Sequence, residues 1–185
     1  MLAAVTLAKA GQPDAAIPLL ERARDLFPEY GGGDSPYAGL AQIYIGKGDS
    51  AKAAAALGQY VLHNETDYDA HIELARLRAA AGDKAGAADA LDRSIYINPF
   101  DVGVHERLAA LYQELGNKTG ALRERRAVVA LAPADKAEAF YQLALAYHDA
   151  GDVLNARKAV LHSLEEAPNY VRAQELLLRI VDGKP

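Results

Sequence analysis

The chain has 185 residues, 51% of them hydrophobic and 24% charged, a balance that excludes an intrinsically disordered protein. Its formal net charge of -5 lacks the basic excess typical of nucleic-acid-binding proteins, so nucleic acid is not an expected partner. The absence of cysteine excludes disulfides and thiolate metal sites but does not distinguish cytosol from periplasm. No apolar run approaches the roughly 18 residues that membrane insertion requires.

The predicted elements are all α-helices, and they come in pairs along the chain. In order, the pairs are 1–10 with 13–27, 36–47 with 50–63, 69–81 with 84–97, 102–115 with 118–131, and 137–150 with 153–166. A last helix is predicted over 170–182, with one apolar side (Leu176, Leu177, Ile180, Val181) and one polar side (Arg172, Glu175, Arg179, Asp182). That pattern is typical of a helix that caps a helical stack. The chain starts inside the first predicted helix, as expected of a segment cut from a longer protein.

A sequence pattern with a period near 34 residues accounts for the pairing. The dipeptide Leu-Ala recurs at 40–41, 74–75, 108–109 and 143–144; Gly follows each Ala by seven residues, and another Ala follows that Gly by five. From Gly11 to Gly151 the Gly-to-Gly spacings are 37, 34, 34 and 35. Alanine allows two helices to approach closely, and glycine supplies the left-handed residue that ends the first helix. The next residue is predicted to cap the second helix, and it is Asp49, Asp83, Asn117 or Asp152.

This pattern resembles the tetratricopeptide repeat (TPR) family over almost the whole chain. The aromatic position of the family's first helix is occupied by Tyr37, His71, His105 and Phe140. The resemblance implies an all-α fold: a right-handed superhelical solenoid of antiparallel helix pairs with a C-terminal capping helix. It divides a single domain, 1–185, into repeats at approximately 1–28 (truncated), 35–66, 68–99, 102–133 and 136–168, followed by the capping helix at 170–182.

Three consecutive glycines, 31–33, lie in a connection that is longer than its counterparts, since the spacing there is 37 instead of 34. A phosphate-binding loop requires a strand before it and Lys followed by Ser or Thr after its last glycine, and neither is present. We therefore interpret the glycines as slack in a connector. The alternative is a mobile flap that touches a partner. The helix that follows is expected to start at Asp34 or Ser35, ahead of Pro36.

No motif predicts catalysis, a metal site or a cofactor. The sequence HERLA at 105–109 approaches a zinc-protease motif but has Ala109 where the second histidine is required, so a packed His105 is favoured. The basic run RERR at 123–126 is interpreted as the solvated outer face of a second helix, with a patch for an acidic partner as the alternative. We therefore expect a protein that is not an enzyme.

The TPR resemblance also implies that the first helices line a concave groove. The residues predicted to bind a partner there are Gln42, Glu73, Arg76, Glu106, Arg107, Gln113, Glu138, Tyr141, Gln142 and His148. The set leans acidic toward the C-terminal half and contains an apolar spot at Tyr141. It favours a protein or peptide partner of basic character.

The predicted function is therefore a protein–protein interaction scaffold that binds a peptide or a protein surface. Two alternatives remain open from the sequence. One is a non-catalytic TPR segment of a larger enzyme, such as a bacterial metallopeptidase. The other is a self-associating module that forms a homo-oligomer.

Overall fold

The computed structural model describes residues 2–182, which form eleven α-helices and, within that range, no β-strand. The helices are α1 (Leu2–Lys9), α2 (Pro13–Leu26), α3 (Pro36–Gly46), α4 (Ser50–His63), α5 (Tyr68–Ala80), α6 (Lys84–Ile97), α7 (Val102–Glu114), α8 (Lys118–Ala130), α9 (Lys136–Asp149), α10 (Val153–Glu166) and α11 (Val171–Val181). Each agrees with its predicted range to within one residue at either end. The all-α class is confirmed, while residues 1 and 183–185 of the predicted domain lie outside the described range.

The helices fall into two compact units, Met1–Ile97 and Asn98–Pro185. In the first unit, each of α1 to α5 packs against the next helix along the chain, up to α6. In the second unit, α7 to α11 do the same, and α11 also contacts α9. The organisation of the whole chain as one solenoid domain stays a prediction.

The turns inside the helix pairs have the chemistry that the sequence predicts. Gly48, Gly82, Gly116 and Gly151 have φ between 72° and 82°, the left-handed region that a residue with a Cβ avoids. The next residue then accepts a hydrogen bond from a backbone amide of the following helix, as Asp49 does from Lys52 at 3.1 Å. Asp83, Asn117 and Asp152 do the same. Each turn therefore stops one helix and starts the next.

The first helices are capped as well, which the sequence pattern had not indicated for three of them. Asp67, Asp101 and Asp135 each accept a hydrogen bond from the amide three residues later, at 2.9–3.1 Å. Ser35 caps α3 through Tyr37, so it is Ser35 and not Asp34 that starts this helix. A side-chain cap is worth about 1 kcal/mol to a helix, so these residues help to fix where each repeat begins.

The repeated Leu-Ala pairs form the centre of each helix pair. Leu74, Ala75, Leu108 and Ala109 are all buried, and so are the alanines of the second helices that follow the turn glycines. Because alanine projects only one methyl group, the two helices of a pair can approach closely, and the leucines fill the space beside the contact.

The capping helix α11 buries a narrower stripe than predicted. Ala173, Leu176 and Ile180 are buried against α9 and α10. Val181, predicted on the buried side, is instead 61% exposed. The reason is that a single terminal helix is contacted on one side only, and residues spaced i, i+3 and i+7 cover that side.

Candidate functional site

The first unit contains a cleft of about 670 Å³ between α1 and α3, which we call the N-terminal cleft. Small side chains account for its width, because Ala4 and Ala8 form one wall and Ala38 and Gly46 lie on α3 opposite. An added Cβ at Gly46 would meet no atom within 4 Å, so this part of the wall is open. The complete lining is Ala4, Ala8, Gly11, Pro13, Leu20, Gly33, Asp34, Ser35, Ala38, Gly39, Gln42, Ile43, Gly46 and Lys47.

The polar groups of the N-terminal cleft lie mostly at its ends. At one end Lys47 forms an ion pair with Asp14. At the other end Asp34 accepts a hydrogen bond from the Tyr30 hydroxyl at 2.6 Å. Between them lies Gln42, an exposed residue of the predicted partner-binding set. Its carboxamide has both donor and acceptor atoms, so it can bind a peptide group.

The glycine loop that precedes α3 is packed and not slack. A Cβ on Gly31 would lie 1.9 Å from the carbonyl oxygen of His63, so only glycine fits against the end of α4. The Ser35 amide closes the loop by donating to the Gly32 carbonyl at 2.8 Å. Gly33 meets nothing within 4 Å and lines the N-terminal cleft. Thus the first glycine is required for packing, and the third borders the cleft.

Two predicted partner-binding residues on α5 bind each other. Arg76 donates to the Glu73 carboxylate through Nε at 2.8 Å and Nη2 at 2.5 Å. This two-pronged bond lowers the pKa of Glu73. Both charges are therefore partly neutralised on the helix surface before any partner arrives.

In the second unit, Glu138 and Tyr141 are not the open contact that the sequence suggested. Tyr141 is only 6% exposed, because Tyr170 packs edge-on against its ring at 5.4 Å and Arg172 lies over it at 4.5 Å. Arg172 is also 3.3 Å from the Glu138 carboxylate, and Gln142 donates to that carboxylate at 2.7 Å. These five residues, which we call the Glu138 cluster, join α9 to α11.

The Glu138 cluster shifts the pKa of Tyr170. Its hydroxyl donates to the Glu138 carboxylate and accepts from Arg172 at 3.0 Å. Burial, followed by the bond to Glu138, raises the pKa of Tyr170 to about 12. The carboxylate expected to attract a basic partner is thus already bonded to groups of its own chain.

The remaining predicted residues lie on α7 and α9 with varied exposure. Glu106, Arg107 and Gln113 are exposed, whereas His148 is half-buried. Arg107 donates to the Gly103 carbonyl at 3.2 Å, and Gln113 lies 3.4 Å from Asp149. The structure therefore brings together Gln113 of α7 and Asp149 of α9 but does not join all the predicted residues into one site.

A cation from the neighbouring second helix further offsets the acidic character of this face. Burial lowers the pKa of Arg125, while the negative charges of Glu106 and Glu138 act in the opposite direction. The Arg125 Nε is buried and has no hydrogen-bond partner among the described residues. The two carboxylates therefore offset part of the cost of burying this cation.

Comparison with protein-family models gives matches along most of the chain. Tetratricopeptide repeat models match residues 7–67, 39–102 and 137–170. The chain belongs to the tetratricopeptide repeat family. No curated protein sequence matches it.

Solved structures of other TPR proteins have the same fold. YrrB, described as a TPR protein with an unusual peptide-binding site, is 18% identical with a TM-score of 0.60, over 93% of this chain and 87% of its own. MamA from Desulfovibrio magneticus RS-1 is 24% identical with a TM-score of 0.60, over 80% of this chain and 82% of its own. The first TPR of Spaghetti (RPAP3), bound to the HSP90 peptide SRMEEVD, is 20% identical with a TM-score of 0.54, over 63% of this chain and 91% of its own.

The TPR register exposes one buried polar pair that the sequence interpretation missed. Glu124 stands where the other second helices have Ala56, Ala90 and Ala159, and it is only 2% exposed. Its carboxylate lies 2.6 Å from Nδ1 of His105, and Arg123 donates to its other oxygen. The interpretation of 123–126 as a solvated outer face is therefore wrong at Glu124, and Arg125 is also partly buried. The sequence feature that could have revealed this pair is a glutamate at a position where the other second helices have alanine, in the same repeat as a histidine at the aromatic position.

His105 and His71 occupy the same TPR position, and only His105 has a carboxylate partner. Both place Nε2 near a backbone carbonyl, that of Pro99 at 3.0 Å and that of Glu65 at 3.2 Å. Nδ1 of His71 is buried and has no hydrogen-bond partner among the described residues. The packed His105 predicted from HERLA is confirmed, since it is 5% exposed.

Within residues 2–182, no three His, Asp or Glu side chains come together in an arrangement that could hold a metal ion. In the same range, no helix combines the length and apolar character needed to cross a bilayer.

Proposed function

We propose that this TPR protein is an interaction scaffold and that its N-terminal cleft holds a segment of the partner polypeptide. The observation that carries this proposal is the cleft of about 670 Å³, a volume within the range of ligand-binding sites in proteins. Its small side chains leave room for a peptide to lie close to α1 and α3.

The side chains that line the N-terminal cleft determine which kind of peptide segment it can bind. Alanine and glycine walls favour apolar side chains, while the Gln42 carboxamide can bind one peptide group through donor and acceptor together. Since Lys47 and Asp14 neutralise each other at the rim, the cleft itself favours an uncharged segment. The basic character of the partner is a separate part of this proposal, and it rests on the exposed Glu106 of the second unit.

Other TPR structures support peptide binding as the general role. The solved relatives include a protein with a peptide-binding site and one bound to the peptide SRMEEVD. That peptide is acidic, whereas the N-terminal cleft favours an uncharged segment, so we extend to this chain the binding of a peptide and not the charge of that peptide. We expect no catalytic activity from the chain.

The test is selection of peptides from a random library, followed by binding measurements with variants of the full chain. Ala38→Trp fills the N-terminal cleft, and Ala79→Trp places the same side chain at an exposed position on α5, away from it. We expect the first variant to lose at least about tenfold in affinity and the second to bind as wild type. Equal affinities at unchanged helicity would mean that the cleft is not the binding site.

A further inference from the structure

The outer face of α10 combines exposed apolar side chains with unpaired cations. Leu154 is 66% exposed and Leu161 is 41% exposed, and Arg157 and Lys158 between them are also exposed. These four residues are spaced i, i+3, i+4 and i+7, so they form one stripe about 10 Å long on the helix surface. We call this stripe the α10 face. It lies on a second helix and belongs to a different unit from the N-terminal cleft.

The two cations of the α10 face have no ion-pair partner in the described part of the chain. Two nearby acidic groups, Asp152 and Glu165, are engaged by other residues. The pKa of Asp152 is lowered chiefly by its hydrogen bonds to Asn155, since it caps α10, and the charge of Lys158 contributes a smaller attraction. Glu165 lies 2.8 Å from His162. The positive charge of the face is therefore available to a partner.

The same register positions differ between the two units. On α4 they hold only alanine and glycine, and on α6 they include Asp89 and Asp92. On α8 they include Arg123 and Arg126, so the cationic character starts in the second unit and continues onto α10. Among the register positions compared on α4, α6, α8 and α10, those of α10 alone hold exposed leucines together with cations. Exposed leucines also occur elsewhere in the chain, but on α10 two of them lie at either end of the cationic pair in one stripe.

We infer that the α10 face is a docking surface for an acidic amphipathic helix of a partner protein. Charge complementarity sets the acidic character, because Arg157 and Lys158 would each meet a carboxylate. The two leucines, seven residues apart, match the two-turn apolar face of a helix that presents its own leucines toward them. Glutamates on either side of that face would then reach the cations.

A protein helix suits this surface better than a lipid bilayer does. Recognition of anionic lipid typically uses a cluster of about four to eight basic residues, whereas the α10 face has two. The chain as a whole carries a net charge of -5, which opposes its approach to an anionic membrane. The short stripe also offers too little apolar area to insert into a headgroup layer.

The test uses a labelled synthetic helical peptide with leucines along one face and glutamates flanking them, and a second probe with lysine in place of glutamate. Binding to the full-length chain is measured by fluorescence anisotropy. Lys158→Glu is compared with Arg22→Glu on α2, which changes the net charge equally. Leu154→Ser is compared with Leu62→Ser, since Leu62 on α4 is 61% exposed. Circular dichroism verifies that every variant is folded.

We expect the acidic probe to bind wild type, with affinity that falls as salt rises, and the lysine probe to bind at least about tenfold more weakly. Lys158→Glu and Leu154→Ser should each weaken binding about tenfold, while Arg22→Glu and Leu62→Ser should leave it unchanged. If Arg22→Glu weakened binding as much as Lys158→Glu, the effect would come from net charge only. If Leu62→Ser weakened binding as much as Leu154→Ser, the peptide would associate with apolar residues without a specific surface. Either result would overturn the inference. Absence of binding would overturn it, and so would preferential sedimentation with phosphatidylserine vesicles. Self-association in light scattering that Lys158→Glu abolishes would assign the face to a second copy instead.

Discussion

Replacing either member of the buried His105–Glu124 pair is expected to destabilise the second unit, whereas replacing both should not. Glu124→Ala leaves Nδ1 of His105 without a partner, and His105→Phe leaves a buried carboxylate with Arg123 alone. The double variant recreates the pair Phe140 and Ala159, which the next repeat already has at these two positions.

The structure sets the size of the effect. The two side chains are 6% and 3% exposed, so water cannot replace the lost interaction. Breaking one side of such a pair costs about 3–5 kcal/mol, while exchanging both for apolar groups is often neutral. For a unit of this size, a loss of about 3 kcal/mol corresponds to a fall of roughly 12 °C or more in the unfolding midpoint.

The assay is hydrogen exchange of α7 and α8 amides in the full chain, because it reports the free energy of unfolding of this region separately from the first unit. Each single variant should lose protection, and the double variant should regain most of it. Additive losses, with the double variant as unstable as the sum of the singles, would refute the coupling of the two side chains.

Three other predictions concern single positions. Burial lowers the pKa of His71 below its ordinary value of 6.5, so the unfolded chain binds more protons than the folded chain as the pH falls through that value. The free energy of unfolding of the first unit should therefore decrease as the pH falls there. His71→Phe should remove this pH dependence in denaturant titrations. Gly82→Val forces a β-branched residue to φ 82° and should cost about 1–2 kcal/mol in thermal unfolding, whereas Gly46→Ala, in open space at an ordinary helical position, should not destabilise. Glu138→Gln removes the charged acceptor of Tyr170, so NMR titration should find the phenol pKa below the value of about 12 reached in wild type; an unchanged pKa would mean that burial alone raises it.

The helix pairs could be predicted because each boundary is set by adjacent residues. A glycine such as Gly82 and the aspartate after it determine both sides of a turn, so the limits of α5 and α6 follow from local chemistry. The positions of Leu74 and Ala75 in the core follow for the same reason, since their spacing from the turn fixes which side of α5 they occupy.

The contents of the candidate site could not be predicted in the same way, because they depend on residues far apart in the sequence. Tyr141 is buried by Tyr170 and Arg172, about 30 positions later, and nothing local to α9 indicates that α11 covers it. The width of the N-terminal cleft likewise arises from small residues on two helices. Ala38 and Gly46 were visible as small residues, but only the packing of α1 opposite them makes a cleft.

Because the glycine-centred turns are alike, one repeat can replace another without changing how the helices connect. Since four turns use the same backbone geometry and the same capping chemistry, a repeat transplanted from one position to another would carry its own connection with it. Duplication or recombination of such units could therefore reshuffle outer faces like that of α10 without disturbing how helices join. The fourth repeat is a constrained module, because His105 and Glu124 come from different helices of the same pair and must be inherited together. A crossover at Gly116 would separate them, whereas one in the loop before Val102 would keep them joined.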